Sequence, residues 1–238
     1  NNGEKIDKNF FYKFENNSFT IQFSENYIKQ IKKDAVNQSV EIVRKRVDQL
    51  GTKEPTIQQK GDNRIIVELP GLSDPSTFKN ILGKTAQLNF KFLKTNSPSK
   101  ENTGFDKFKN KSDGSFVEVE KKLIVSGENL IDAQPGFDHQ TNQSIVSFKF
   151  DNIGAKKFAN ATKDNVGRPL AIILDNEILS SPVIREPILT GSGQISGSFT
   201  VAEANELSIL LRAGALPAPM KIIEERTVGA DLGEDSIR

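Results

Sequence analysis

LSILLRAGALPAPMKIIEERTVGADLGEDSIR, residues 207–238, is the stretch on which the reading of the fold turns. Val201, Ala204, Leu207 and Leu211 fall on one stripe at helical spacing, with Glu203 and Glu206 off it, so residues 201–212 read as a helix. Gly214 offers that helix a stop, and Pro217 and Pro219 forbid its continuation. The two prolines fix φ, so residues 213–220 are expected to form a stiff, extended connector. Met220 and Ile222 then suggest a strand over 220–228, and beyond Gly229 no apolar pattern remains.

The bulk numbers narrow the function classes. Length 238 allows one large domain or two small ones. Lysine and arginine (32) balance aspartate and glutamate (31), which argues against nucleic acid as the main partner, since such binders carry excess positive charge. The absence of cysteine excludes disulfides and thiolate metal sites. No apolar run approaches the roughly 18 residues of a membrane span. The chain begins at Asn1 rather than Met, which is expected of a processed chain or a fragment.

The first half reads as alternating α and β. Residues 1–17 are polar with an aromatic cluster at Phe10, Phe11, Tyr12 and Phe14, expected as an edge strand or arm. Phe19, Ile21 and Phe23 alternate with polar neighbours, a half-buried strand. A long helix follows on the stripe Ile28, Ile31, Ala35, Val36, Val40, Val43, Val47 and Leu50, with Glu41 four residues before Lys45 and Gly51 as its stop. Residues 56–60 and 64–69 read as strands turned by Gly61-Asp62-Asn63. Asp74 with Pro75 opens a short helix, and Leu88, Phe90 and Phe92 mark another strand. Strand, helix, strand, strand, helix, strand is the ferredoxin-like order.

Residues 94–113 are rich in Lys, Asn, Ser and Gly without periodicity and read as a long loop or linker. A second block follows. Residues 123–125 are short and apolar, 131–136 read as a turn, 144–150 as a strand and 152–162 as a helix. LAIIL at 170–174 is wholly apolar, hence a central strand covered on both faces. Asp175-Asn176 turns it into a return strand at 177–184, with Pro182 marking a bend or edge. The fold class is α+β, in two blocks of similar logic.

Chemistry is sparse. Gly191, Gly193 and Gly197 give G-x-G-x-x-x-G, which is not the dinucleotide fingerprint, and no P-loop Lys-Ser/Thr follows; a flexible loop is the plainer reading. Ser97–Lys100 matches S-x-x-K, but Pro98 denies it a helix and no K-T-G appears. Asp175 ends an apolar strand, where catalytic carboxylates often sit, yet Asp-Asn is an ordinary turn pair. His139 is the only histidine and lies in a polar loop, so no histidine-rich zinc site and no Ser-His-Asp arrangement is evident. Neither catalysis nor a cofactor is expected, and what remains is a binding or scaffolding module.

RAGALPAP with EERTVGADLGEDSI resembles a segment of the SecD family of bacterial protein-export subunits. SVEIVRKRVDQLG at 39–51 and RIIVELPG at 64–71 are similar to the base of that family's first periplasmic domain, and GENLIDA at 127–133 and RPLAIILD at 168–175 to its head. The likeness runs from about Ile28 to the end, but the family's G-L-D-L-x-G-G segment is absent, so a trimmed N-terminus is expected. The resemblance implies a discontinuous ferredoxin-like base at 1–95 and 216–238 with an inserted head at 96–215.

It further implies a fragment anchored in the inner membrane, on the periplasmic face, with SecF, the SecYEG channel and emerging unfolded preprotein as partners. The proton-relay residues of the family lie in membrane spans outside this chain. The expected role is to grip preprotein and help proton-driven export by moving the head about a hinge at Gly214, Pro217 and Pro219. Leu179, Val183, Ile184 and Ile195 are the expected polypeptide-binding residues, near an edge marked by Pro182 and the glycine stretch. The competing reading is a passive scaffold that touches only its partner subunits.

Overall fold

A computed structural model describes residues 4–7, 9–15, 18–71, 74–94 and 104–226. Strands β1 (Glu4–Asp7), β2 (Phe10–Glu15) and β3 (Ser18–Phe23) form an antiparallel meander. Helix α1 (Glu25–Gln49) starts where the Ser24 hydroxyl accepts the Tyr27 N–H. Its outer-face pair is Glu41 with Arg44, at 2.7 Å, rather than with Lys45. Hairpin β4 (Thr56–Lys60) and β5 (Arg64–Glu68) follows, then α2 (Pro75–Gly83), capped as expected by Asp74. Val43, Val47 and Phe78 form a small core with this hairpin and Met220.

The expected order of elements is present, but the strands do not assemble into one four-stranded sheet among the described residues. β6 (Leu88–Leu93) has both edges taken, by β8 (Phe116–Ser126) and β11 (Leu170–Leu174), so no edge is left for β3 or β5. With β7 (Phe105–Asn110) and β12 (Glu177–Ser180) these strands close a five-stranded barrel. β6 thus lies on the base side of the expected boundary and pairs with strands beyond it.

β11 fulfils the two-sided reading. Leu170 and Ile172 enter the larger core, whereas Ala171 and Ile173 enter the barrel interior with Leu93, Val119 and Ile178. Alternation of side chains along one strand produces both sets. The larger core holds Phe90, Phe148, Phe150 and Phe158, with ring centroids 5.1–6.4 Å apart. Above it sits a second sheet, ordered β13-β10-β9, from β9 (Leu130–Phe137), β10 (Ser144–Phe150) and β13 (Ser192–Phe199). Helices α3 (Asn152–Asp164) and α4 (Val201–Ala213) complete the fold.

Several expectations are corrected. The polar stretch at 94–113 contains β7, whose Phe108 packs on the barrel core while its lysines face out. The short apolar piece at 123–125 is the end of the eleven-residue β8. Residues 131–136 are strand, not turn, paired along β10; only Ala133 of that run is fully buried, so its apolar signal is weak. The glycine stretch at 191–197 is mostly strand β13. The return strand after Asn176 ends at Ser180, before Pro182, leaving a single bridge between Pro169 and Val183. Residues 220–226 carry no regular structure, and Thr227 and Val228 lie outside the described residues, as does Ser97–Lys100.

Candidate functional site

The outward face of the β13-β10-β9 sheet is a shallow trough of about 600 Å³. Its walls are Gln134, Ser147 and Gln194 in one cross-strand row and Asp132, Lys149 and Ser192 in the next. Strand alternation places these polar residues out, while Ala133, Val146, Phe148 and Ile195 face the core. Gln134 Nε2 donates to Asp132 Oδ2 at 2.9 Å, and Lys149 stands opposite Asp132 across the ladder. The trough is therefore amide and hydroxyl in character, with its two charges of opposite sign.

Glycine shapes its floor. A Cβ on Gly193 would lie 2.6 Å from Phe148 Cζ, so the ring can pass beneath this strand only because residue 193 has no side chain. No strand pairs with the outer edge of β13 among the described residues, although β12 lies close to that strand. The backbone groups on that side of β13 have no ladder partner among the described residues.

None of the expected binding residues lines this trough. Leu179, Ile184 and Ile195 are buried in the larger core, Ile195 completely, while Leu179 also lines a small pocket with Lys84, Phe199 and Glu206. Val183 is 54 % exposed, just beyond β12. Gly214 caps α4 at φ 91°, and Pro217 and Pro219 are exposed in the connector. His139 is exposed in a turn built on Asp138. Asp175 and Asn176 do form a two-residue turn, with φ 47° and 71°. Among the described residues no cluster of three or more His, Asp or Glu could hold a metal ion, and no helix is long and apolar enough to cross a membrane.

One charged residue escaped the sequence reading. Arg46 is completely buried, on the apolar stripe of α1 between Val43 and Val47. Its Nη1 donates to the carbonyls of Ile81 (2.7 Å) and Lys84 (2.6 Å), and its Nη2 to Gly214 (3.2 Å). Burial lowers its pKa to about 10, partly offset by nearby Asp175, so it remains charged at neutral pH. An arginine at a stripe position is itself a signal, since an unpaired charge there is too costly to keep.

Comparison with known proteins follows these two halves. The model of the SecD/SecDF P1 domain N-terminal part matches residues 36–95, and that of the SecDF P1 head subdomain matches residues 105–218. Protein translocase subunit SecD of Rickettsia conorii is 46 % identical over 98 % of this chain, and that of Acetobacter pasteurianus 41 % over 95 %. The chain spans about half the length of these curated relatives (46 % and 44 %). A solved structure described as a membrane component SecDF that enhances protein export is 30 % identical, with a TM-score of 0.68 over 82 % of this chain and 94 % of that one. SecDF in a super-membrane-facing form gives 31 % and 0.68, covering 80 % of this chain and 28 % of that one. The chain belongs to the SecD family of protein translocase subunits, as its first periplasmic (P1) domain with an α+β fold.

Proposed function

We propose that this domain holds unfolded preprotein emerging on the periplasmic side of the bacterial inner membrane, and that hinge motion of the head assists its proton-driven export beside SecF and the SecYEG channel. The observation that carries this reading is the open edge of β13 beside a trough of amide and hydroxyl groups. An extended chain can add to such an edge through main-chain hydrogen bonds, which every sequence supplies. Gln134, Ser147, Ser192 and Gln194 offer further donors and acceptors without demanding a particular side chain.

Weak binding suits a task of repeated grip and release. Each added hydrogen bond contributes about 1 kcal/mol net, while ordering each residue of the guest costs about 1–2 kcal/mol. The two nearly cancel, so the grip stays readily reversible. Val183 adds an exposed apolar contact next to β12. Hinge motion is assigned to the crossing at Gly214, Pro217 and Pro219, of which Pro217 and Pro219 are exposed.

A disulfide that ties the 36–95 segment to the 105–218 segment in the full-length protein tests the hinge: export falls in the oxidised form and returns on reduction. Undiminished export in the oxidised form contradicts it.

The scaffold reading has one observation in its favour. Phe14, Phe19, Ile21 and Phe23 are 53–66 % exposed on one face of the β2–β3 ladder, as Phe14 opposite Phe19 shows. That face fits a partner subunit or another part of the full-length protein. Crosslinks from it to partner subunits, with none from the trough to preprotein, would support the scaffold.

A further inference from the structure

Residues 84–87, between α2 and β6, are gripped from both sides. From α1, Arg46 takes the carbonyl of Lys84 at 2.6 Å and that of Thr85 at 3.3 Å. From the β11–β12 turn, Asp175 accepts the Ala86 N–H at Oδ2 and the Gln87 N–H at Oδ1, both at 2.8 Å. The Asp175 N–H in turn donates to the Gln87 carbonyl at 3.1 Å, and the Leu216 N–H to the Thr85 carbonyl at 2.8 Å. Two successive backbone N–H groups around one carboxylate make an anion nest.

The grip holds an unfavourable backbone. Ala86 sits at φ 61°, in the left-handed region that a residue with a Cβ rarely adopts, and is almost fully buried with Ile81 and Leu210. Arg46 also reaches across to the Gly214 carbonyl, the end of α4 and the start of the connector. Its charge meets the carbonyl ends of both α2 and α4, where helix dipoles favour a cation. Burial of the guanidinium makes each of these acceptors hard to give up singly, because a buried charge left unpaired is costly.

From these contacts we infer that Arg46 and Asp175 form a clasp across residues 84–87 and Gly214, and that the head-side block moves against α1 only when this clasp opens. The inference rests on the hinge reading above and adds the regulation of that hinge. Gly214 supplies the freedom to bend and the proline connector is the stiff arm it turns; the clasp decides when that freedom is used. Ala86 stores the bias, since its strained backbone relaxes once the carboxylate lets go.

The test uses the full-length protein in lipid nanodiscs, with spin labels at Lys45 on α1 and Gln140 in the β9–β10 turn, both exposed. Distance distributions are compared for the parent, Asp175→Asn and Arg46→Lys. Asparagine tolerates the left-handed turn at 175, so the turn survives while one of two carboxylate acceptors and the charge are lost. The parent is expected to show one narrow distance. Both variants are expected to show a second population of a tenth of the molecules or more, with faster amide exchange at Ala86 and Gln87. If Arg46→Lys does not fold, Asp175→Asn decides. A folded Asp175→Asn whose distances superimpose on the parent's overturns the clasp. So does a second distance in the parent while the Ala86 and Gln87 amides remain protected. Failure of the hinge reading is seen elsewhere: normal export by the disulfide-locked protein removes the hinge from export even where Asp175→Asn gains its second distance.

Discussion

The Phe148 ring lies directly under Gly193 of the neighbouring strand, 2.6 Å from where a Cβ on that glycine would stand. Phe148 belongs to the four-ring core, so the space cannot be yielded cheaply. Gly193→Ala is expected to destabilise the domain by about 1–3 kcal/mol through overpacking. At this size each kcal/mol lowers Tm by roughly 2–4 °C. Gly136→Ala on β9, where nothing lies within 4 Å of the added carbon, is the control and should leave Tm nearly unchanged. Equal Tm values for the two variants would contradict the packing described.

Phe158 is 1 % exposed and packs edge-on against Phe90 and Phe150. Phe158→Ala should cost about 3–5 kcal/mol, as large cavities in aromatic cores do. Phe19, 57 % exposed on the β2–β3 face, should cost under about 0.5 kcal/mol when changed to Ala. Urea unfolding of the two variants separates the cases.

Helix α4 begins with a capping box, Thr200 with Glu203. Thr200→Ala should cost about 1 kcal/mol. The Thr200 N–H and the Lys111 ammonium hold the Glu203 carboxyl down to about 2. A carboxyl whose folded pKa is lowered stabilises the fold above its ordinary pKa and loses that contribution as pH falls through the folded value. The stability gap between the parent and Glu203→Gln should therefore be widest above about pH 5 and close towards pH 2. Glu203 is largely solvated, so the gap is small at any pH and shrinks further with salt. Asp74, lowered to about 2 by the Ser76 and Thr77 groups at the start of α2, should behave alike in Asp74→Asn. Unfolding midpoints across the acid range check both.

What was legible in the sequence was what a single element carries. The α1 helix, the Asp74–Pro75 start of α2, the two-sided LAIIL strand and the Asp175-Asn176 turn all appear where local pattern places them, although Ile28 and Ile31 at the start of the α1 stripe are exposed and only its later part, at Val43 and Val47, is buried. Partnership between strands was not legible. Nothing in LNFKFL at 88–93 tells that both edges of β6 are occupied by β8 and β11, and that choice dissolves the single-sheet base. β7 and β9 were missed because Phe108 and Ala133 are their main inward residues, too few to mark a period. The same limit applies to side-chain direction: Ile195 and Gln194 alternate on β13, and only the fold shows that Gln194 faces the trough while Ile195 fills the core. Arg46 could have been noticed, since it interrupts an apolar stripe, but its acceptors lie 35 to 168 residues away.

Photocrosslinking from the trough tests the central claim most directly. A photoreactive residue is placed at Gln134, at Gln194 or at Val183 in the full-length membrane protein, and export of a preprotein is arrested midway. Lys45, on the outer face of α1, serves as the reference position. Adducts with preprotein from Gln134 and Gln194, absent at Lys45 and absent when export is not begun, are the predicted result. Adducts from the trough to partner subunits alone, or trough adducts no more frequent than those from Lys45, would contradict a preprotein-gripping head.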